Sequence, residues 1–307
     1  MRTMPTQNST VDRFTLFGVT ILIKYENGCS ADLTRLLPSC WNAPELTDNA
    51  DPVYIVIRSY TVNHEIPEDA FMTGGTSLAV CRNGIRINGD GASGYGVCDY
   101  PKGSREDSQF LELIDMLALF LVAQAGRIPL HASAAVHGKT AVVFAGRSGA
   151  GKSSMAFAAS RAGMAVLSDD TVYVQSEPLK VWGMPAAIHL LASGGVDCGN
   201  FPLRYRGGKL KHALPVGRGV HQAEQAVLCV LTRGQEVAFD PMEINEAVDM
   251  LTRDPEPGYG LYGSRSADAI RAIAARGCWK LTLSDEPSAA IATLLNEWPR
   301  ISGDAEA

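Results

Sequence analysis

Paired cysteines are missing from this chain. Its seven, Cys29, Cys40, Cys81, Cys98, Cys198, Cys229 and Cys278, are odd in number and scattered, with no C-x-x-C pair. That excludes a disulfide framework and a zinc site of the usual spacing, and reads as reduced thiols in the cytosol. The apolar run of a signal peptide is also absent, since Met1 to Thr10 is polar. The longest apolar stretch, Phe110 to Ala125, carries Glu112, Asp115 and Gln124. It is too short and too polar for a membrane span and reads as a buried helix. Positive charge is not in excess either: 27 Lys and Arg against 33 Asp and Glu leave a net charge of −6. Such a balance gives no general electrostatic reason to bind nucleic acid or an anionic membrane. Neither a G-x-S-x-G elbow nor an H-E-x-x-H motif is present, and no repeat or heptad is visible. A soluble, cytoplasmic protein without nucleic-acid or membrane partners is expected.

What is present centres on Gly146-Arg147-Ser148-Gly149-Ala150-Gly151-Lys152-Ser153, which fits the phosphate-binding pattern G-x-x-x-x-G-K-[ST] at every fixed position. Before it, Thr140–Ala145 is a short β-branched apolar run, as a buried parallel strand should be. After it, Ser154 to Ala162 is rich in helix formers and stops at Gly163, a natural residue past a helix end. Strand, glycine turn and helix thus come in the order that cradles a polyphosphate on backbone N–H groups. Lys152 would then reach the β- and γ-phosphates of ATP, and the Ser153 hydroxyl would join the Mg²⁺ shell. The alternative is a chance glycine-rich turn.

Up to about Asp99 the chain reads as strands: Phe14–Tyr25, Val53–Tyr60 and a hairpin over Ser77–Ile87 turning at Asn83-Gly84. The glycine run Gly89–Gly96 lacks a lysine and a following helix, and reads as a surface turn. A helix from Arg105-Glu106-Asp107-Ser108 to Gly126 opens the second part, which puts a domain boundary near Gly103. The expected domains are a β-rich 1–103 and an α/β 104–307 with alternating strands and helices. Within the latter, Ile128–Val136, Met164–Leu167, Thr171–Gln175, Ala226–Thr232 and Trp279–Leu283 read as strands and Glu286–Glu297 as a helix.

Asp169-Asp170 follows the strand after the loop helix. A strand–loop–helix–strand unit brings that end beside the loop, where one carboxylate serves as metal ligand and the other as base for an incoming hydroxyl. A solvated acidic turn is the alternative. His131 lies one strand before the loop, either near the site or as a satisfied structural histidine. The basic segment Arg204–His212 reads as a loop closing over phosphates or docking an acidic substrate, or simply as a solvated loop. Asp254–Tyr262 reads as an exposed linker, with partner contact as the alternative, and His189 as filler.

Leu130-His131-Ala132-Ser133-Ala134, then Gly146–Ser153, then Leu167-Ser168-Asp169-Asp170 together resemble the C-terminal domain of HPr serine kinase. The resemblance is closer still to the HPr-kinase-related kinases of lasso peptide gene clusters. It is specific over about Gly126–Gln175 and looser to Leu295. It implies a phosphate-loop fold akin to phosphoenolpyruvate carboxykinase, ATP and Mg²⁺ as cofactors, and phosphorylation of a serine on a peptide or small protein. The C-terminal serine of a lasso precursor is the favoured acceptor, with a carrier protein or small metabolite, or a non-catalytic ATP-sensing regulatory module, as the alternatives, and a homo-oligomer is implied. Carried over individually, Asp169 is the general base, Asp170 the metal-side carboxylate and His131 an active-site histidine. Lys152, with the loop residues Gly146 to Ser154, holds the nucleotide, Ser153 binds metal and Lys209 matches a basic residue of a following glycine-rich loop. The family's Glu-Ile-Arg-Gly-Leu-Gly signature has no counterpart after Val181, where Trp182-Gly183-Met184-Pro185-Ala186-Ala187-Ile188-His189 stands. That departure argues against HPr as substrate and against reverse phosphorolysis.

Overall fold

The structure, a computed structural model, describes residues 11–26, 41, 50–61, 68–102, 108–191, 201–206, 209–256 and 258–302. Met1 to Thr10, Cys29, Cys40, Gly103, Arg105 to Asp107, Cys198, Gly207, Gly208 and Pro257 lie outside them. By its internal contacts the chain divides into Met1–Arg127 and Ile128–Ala307.

In the first unit, β1 (Val11–Leu16), β2 (Val19–Glu26), β3 (Val53–Tyr60), β4 (Ala70–Gly74), β5 (Ser77–Arg82), β6 (Ile85–Asp90) and β7 (Tyr95–Pro101) form one sheet in the order β1-β2-β3-β7-β6-β5-β4. The run read as a single strand over Phe14–Tyr25 is instead the β1–β2 hairpin. It folds at Phe17-Gly18, both with positive φ. The β5–β6 hairpin turns at Asn83-Gly84, φ 49° and 80°, as the sequence requires.

Helix α1 (Ser108–Gln124) belongs to this unit, so the division falls well after Gly103. Its apolar face, with Leu113, Leu117 and Leu121 fully buried, needs a sheet to cover, and the glycines of β6 and β7 supply the space. A Cβ on Gly89 would stand 2.9 Å from Leu117 Cδ1, and one on Gly96 3.0 Å from the same atom. Part of the glycine run read as a mere surface turn therefore seats a helix.

The second unit contains β8 (Ile128–His137), β9 (Thr140–Ala145), α2 (Lys152–Arg161), β10 (Ala165–Ser168), β11 (Thr171–Gln175), β12 (Lys180–Trp182), β13 (Ala187–Leu191), β14 (Leu203–Arg206), β15 (Lys209–Pro215), β16 (Gln222–Ala223), β17 (Gln225–Arg233) and β18 (Ala238–Pro241). There follow α3 (Ile244–Thr252), a 3₁₀ turn (Tyr259–Tyr262), α4 (Gly263–Ala274), β19 (Cys278–Leu283), α5 (Pro287–Asn296) and α6 (Trp298–Ser302). The main sheet runs β16-β12-β11-β8-β9-β17-β19-β18, with β9, β17 and β19 parallel.

Alternate residues of these strands face opposite sides, and each side is covered by helices. Val143, Leu228 and Val230 pack with Ala247 of α3 and Ile270 of α4, while Phe144, Cys229 and Leu231 pack with Met155 of α2 and Ile291 of α5. A separate three-stranded sheet, β13-β15-β14, packs Ile188, Leu190 and Leu214 against Val166. Among the described residues no helix is long and apolar enough to cross a membrane.

Candidate active site

Strand β9 is wholly buried and ends at the carboxyl edge of the parallel strands, where ligands of open α/β sheets bind. There the chain turns through Gly146–Gly151 into α2. Gly149 and Gly151, at φ 82° and 109°, adopt the left-handed conformation that side chains disfavour. Gly151 also has no room for one, since a Cβ would meet Leu283 Cδ1 at 2.9 Å and Arg233 Nη2 at 3.1 Å. Gly151 makes the N-cap, so no side chain caps the first amides of α2. Those N–H groups are the ready anion site of a helix N-terminus. Lys152, only 6% exposed, donates from Nζ to the carbonyls of Gly146 (2.8 Å) and Arg147 (3.1 Å). Ser133 of β8 donates to the Lys152 carbonyl at 2.7 Å and ties the helix start to the sheet. Arg147, Ser148 and Gly149 are exposed, Arg147 pairing with Asp254, while Ala150, Ser153 and Ser154 are half-buried.

The strand after α2 does not pair beside β9 as a simple strand–helix–strand unit would have it. Both edges of β9 are already taken, by β17 and by β8, which folds back through Gly138-Lys139. Strand β10 therefore pairs antiparallel with β8, and β11 continues along the same partner. The ladder reaches Ser168 opposite Ala134 and resumes at Thr171 opposite His131, so Asp169-Asp170 is the interruption. Two carboxylates are thereby released from the sheet beside His131.

They part company. Asp170 lies near enough to Lys152 and His131 for its charge to act on both. Asp169, 5% exposed, turns to β13, where Oδ2 accepts from the His189 main-chain N–H at 2.8 Å and lies 3.2 Å from His189 Nδ1. Among the described residues its buried Oδ1 has no hydrogen-bond partner, an arrangement that asks for an occupant.

The segment read as a linker, Asp254–Tyr262, contributes to the site. Glu256 Oε2 sits 3.1 Å from His131 Nδ1, the Tyr259 ring packs edge-on to His131, and the Tyr259 hydroxyl bonds Thr171 Oγ1 at 2.6 Å. A cavity of about 470 Å³ opens here, lined by His131, Gly146, Ser148, Glu256, Tyr259 and Ile270 among others. Burial, and next the charge of Lys152, hold the His131 pKa below its ordinary 6.5, against the opposing pull of Glu256 and Asp170. Burial likewise lowers the Lys152 ammonium. Imidazole NMR is expected to place the His131 midpoint below 6.5, and Glu256→Gln to lower it further. Because the folded state favours the neutral ring, this contribution to stability is complete above pH 6.5. It is lost as the pH falls through the interval below. A midpoint at or above 6.5 would contradict the assignment.

Of the segment Arg204–His212 read as a loop, Arg204–Arg206 lies in β14 and Lys209–His212 in β15, paired antiparallel, while Gly207 and Gly208 lie outside the described residues. Lys209 lies exposed at the start of β15, and the lysine whose charge reaches Lys152 and His131 is Lys211, two residues on along the same face. Sequence reasoning also passed over His189, Glu256 and Arg233. Only Arg233 had a signal, a cation at the carboxyl end of a strand expected in the core. Among the described residues no group of three or more His, Cys, Asp or Glu forms a ready metal site.

An α/β protein with an uncapped helix start, a buried lysine and two released carboxylates at one sheet edge is what these features define. No protein-family model matches the chain, and no curated protein matches it. Among solved structures it is similar to the Hpr(Ser) kinase/phosphatase from Coxiella burnetii, at 14% identity and a TM-score of 0.31 over 57% of this chain and 98% of that one.

Proposed function

We propose that this protein is an ATP-dependent kinase that phosphorylates a serine hydroxyl on a peptide or small protein. One observation carries the reading. The uncapped α2 start, Lys152, His131, Glu256 and the interrupted strand bearing Asp169-Asp170 converge on one sheet edge. The left-handed glycines and free helix amides suit a polyphosphate, and Lys152 suits the charge that grows on a transferring phosphoryl group. For Mg²⁺, the Ser153 hydroxyl and Asp170 carboxylate are hard oxygen donors. Mg²⁺ commonly takes only one or two protein ligands beside phosphates and water. When bound, it supplies neutralisation of phosphate charge.

Asp169 is the base in this reading, its unpartnered Oδ1 receiving the acceptor proton. His131, whose pKa burial lowers, faces the Glu256 carboxylate through Nδ1, so its neutral form adds no charge beside Lys152 and presents Nε2 as an acceptor. The resemblance of the sequence motifs favours the C-terminal serine of a lasso precursor as acceptor. Incubation with ATP, Mg²⁺ and serine-ended peptides, read by mass spectrometry, is expected to show an added phosphate on serine. A folded, ATP-binding chain that phosphorylates none of them overturns the peptide-kinase reading.

A further inference from the structure

Asp169 is held by one residue through two atoms. The His189 main-chain N–H donates to Oδ2 at 2.8 Å, and the ring Nδ1 of the same residue lies 3.2 Å from that oxygen. Both side chains are shielded, 13% and 5% exposed, so solvent competes little for either contact. A carboxylate oxygen accepts, so this contact is made by a ring that carries a proton on Nδ1. Oδ1 is left buried with no partner among the described residues. Two contacts on one oxygen, and none on the other among the described residues, fix the carboxylate's rotation and leave the Oδ1 lone pairs unused.

The surroundings of His189 agree with a place at the site's margin. β13 pairs with β15, Leu191 opposite Lys211 and His189 opposite Ala213, so His189 and Lys211 lie on the same face of the small sheet. Lys211 is the residue of that sheet whose charge reaches Lys152 and His131.

We propose that His189 is the positioning residue for Asp169, pinning Oδ2 through its ring Nδ1 so that Oδ1 takes the proton of the acceptor hydroxyl. This rests on the kinase reading above. In the step, the acceptor oxygen bonds the γ-phosphorus as the bond to the β–γ bridging oxygen breaks and ADP leaves. The acceptor proton ends on Oδ1. The ring touches neither nucleotide nor acceptor. It acts by denying Asp169 the alternative rotamer.

The test uses the full chain and MgATP with water as acceptor, read as inorganic phosphate release. It needs no knowledge of the natural acceptor. The main-chain bond to Oδ2 survives every side-chain change at 189, so the variants report on the ring contact. His189→Leu is expected to lower kcat about 10- to 100-fold, the effect of losing a hydrogen bond to a charged group, with KM for MgATP within about twofold. His189→Asn puts an amide nitrogen where Nδ1 stood and is expected to recover most of the rate. His189→Gln, whose amide falls one atom further out, is expected to behave as the leucine variant does. Should the leucine variant fail to fold, the Asn–Gln comparison decides alone.

An unchanged kcat in His189→Leu, a change confined to KM, or Asn no better than Gln overturns the proposal. Asp169→Asn run alongside separates the two levels. If it turns over as the wild type does, Asp169 is not the base and the kinase reading has failed at that residue. Where the wild type releases no phosphate to water, the same variants are compared on the serine-ended peptides, and no transfer there fails the kinase reading itself. If it is inactive while His189→Leu is unimpaired, only the positioning role has.

Discussion

Asp169→Asn is expected to lower phosphoryl transfer by about 10²- to 10⁴-fold, the usual contribution of a positioned general base, while MgATP binding stays within about twofold. The substitution is nearly isosteric, and the His189 N–H still finds an oxygen on the side chain. What changes is the other atom. With the amide oxygen held by His189, the NH₂ group occupies the position of Oδ1 and offers a proton where one must be taken up. Equilibrium binding of a fluorescent nucleotide and single-turnover transfer separate the two quantities. Equal loss of both would assign Asp169 to the architecture of the β10–β11 break and not to chemistry.

Lys152→Ala is expected to lower kcat by about 10²- to 10³-fold through loss of charge stabilisation in transfer, and to weaken nucleotide binding as well. Stability should move the other way or not at all. Lys152 is 6% exposed, and burial disfavours its charged form in the folded protein, which offsets the two hydrogen bonds from Nζ, so removing it is not expected to lower the melting temperature. Lys152→Arg does not rescue, because a planar guanidinium is bulkier than the ammonium that fits between the Gly146 and Arg147 carbonyls. A lower melting temperature with unimpaired turnover would make Lys152 a structural residue of the loop.

The elements carrying this site differ in how far they could be read from the chain. β9, the glycine loop and α2 were legible because each obeys a local rule: a continuous apolar run, glycines where φ is positive, and helix formers closed by Gly163. The Asp169-Asp170 pair was legible as a break after an apolar strand. Where that strand goes was not. Its pairing with β8 depends on β9 having both edges filled, a fact of sheet order that no window of sequence contains. Likewise α1 reads as a buried helix but not as a helix of the first unit. The deciding fact is that Gly89 and Gly96, in hairpin-like surroundings, leave space for Leu117.

The Asp254–Tyr262 segment has the composition of a linker, and its Pro and Gly content rightly predicts irregular backbone. That Glu256 meets His131 and Tyr259 meets Thr171 follows from where α3 and α4 deliver that segment over the sheet. His189 carried no local signal at all, since Ala187–Leu191 is an ordinary short strand.

By itself, then, the sequence determined the glycine loop Gly146–Gly151 and its flanks, because glycine conformation, helix stop and strand hydrophobicity are properties of a dozen consecutive residues. It also determined that a paired aspartate follows. Tertiary structure alone decided how the two aspartates divide, Asp170 toward Lys152 and His131, Asp169 toward His189. It alone supplied Glu256, Tyr259 and Lys211 as neighbours. Those choices depend on strand order and on contacts between segments far apart in the chain, and such contacts follow from how whole faces are buried, not from local preference.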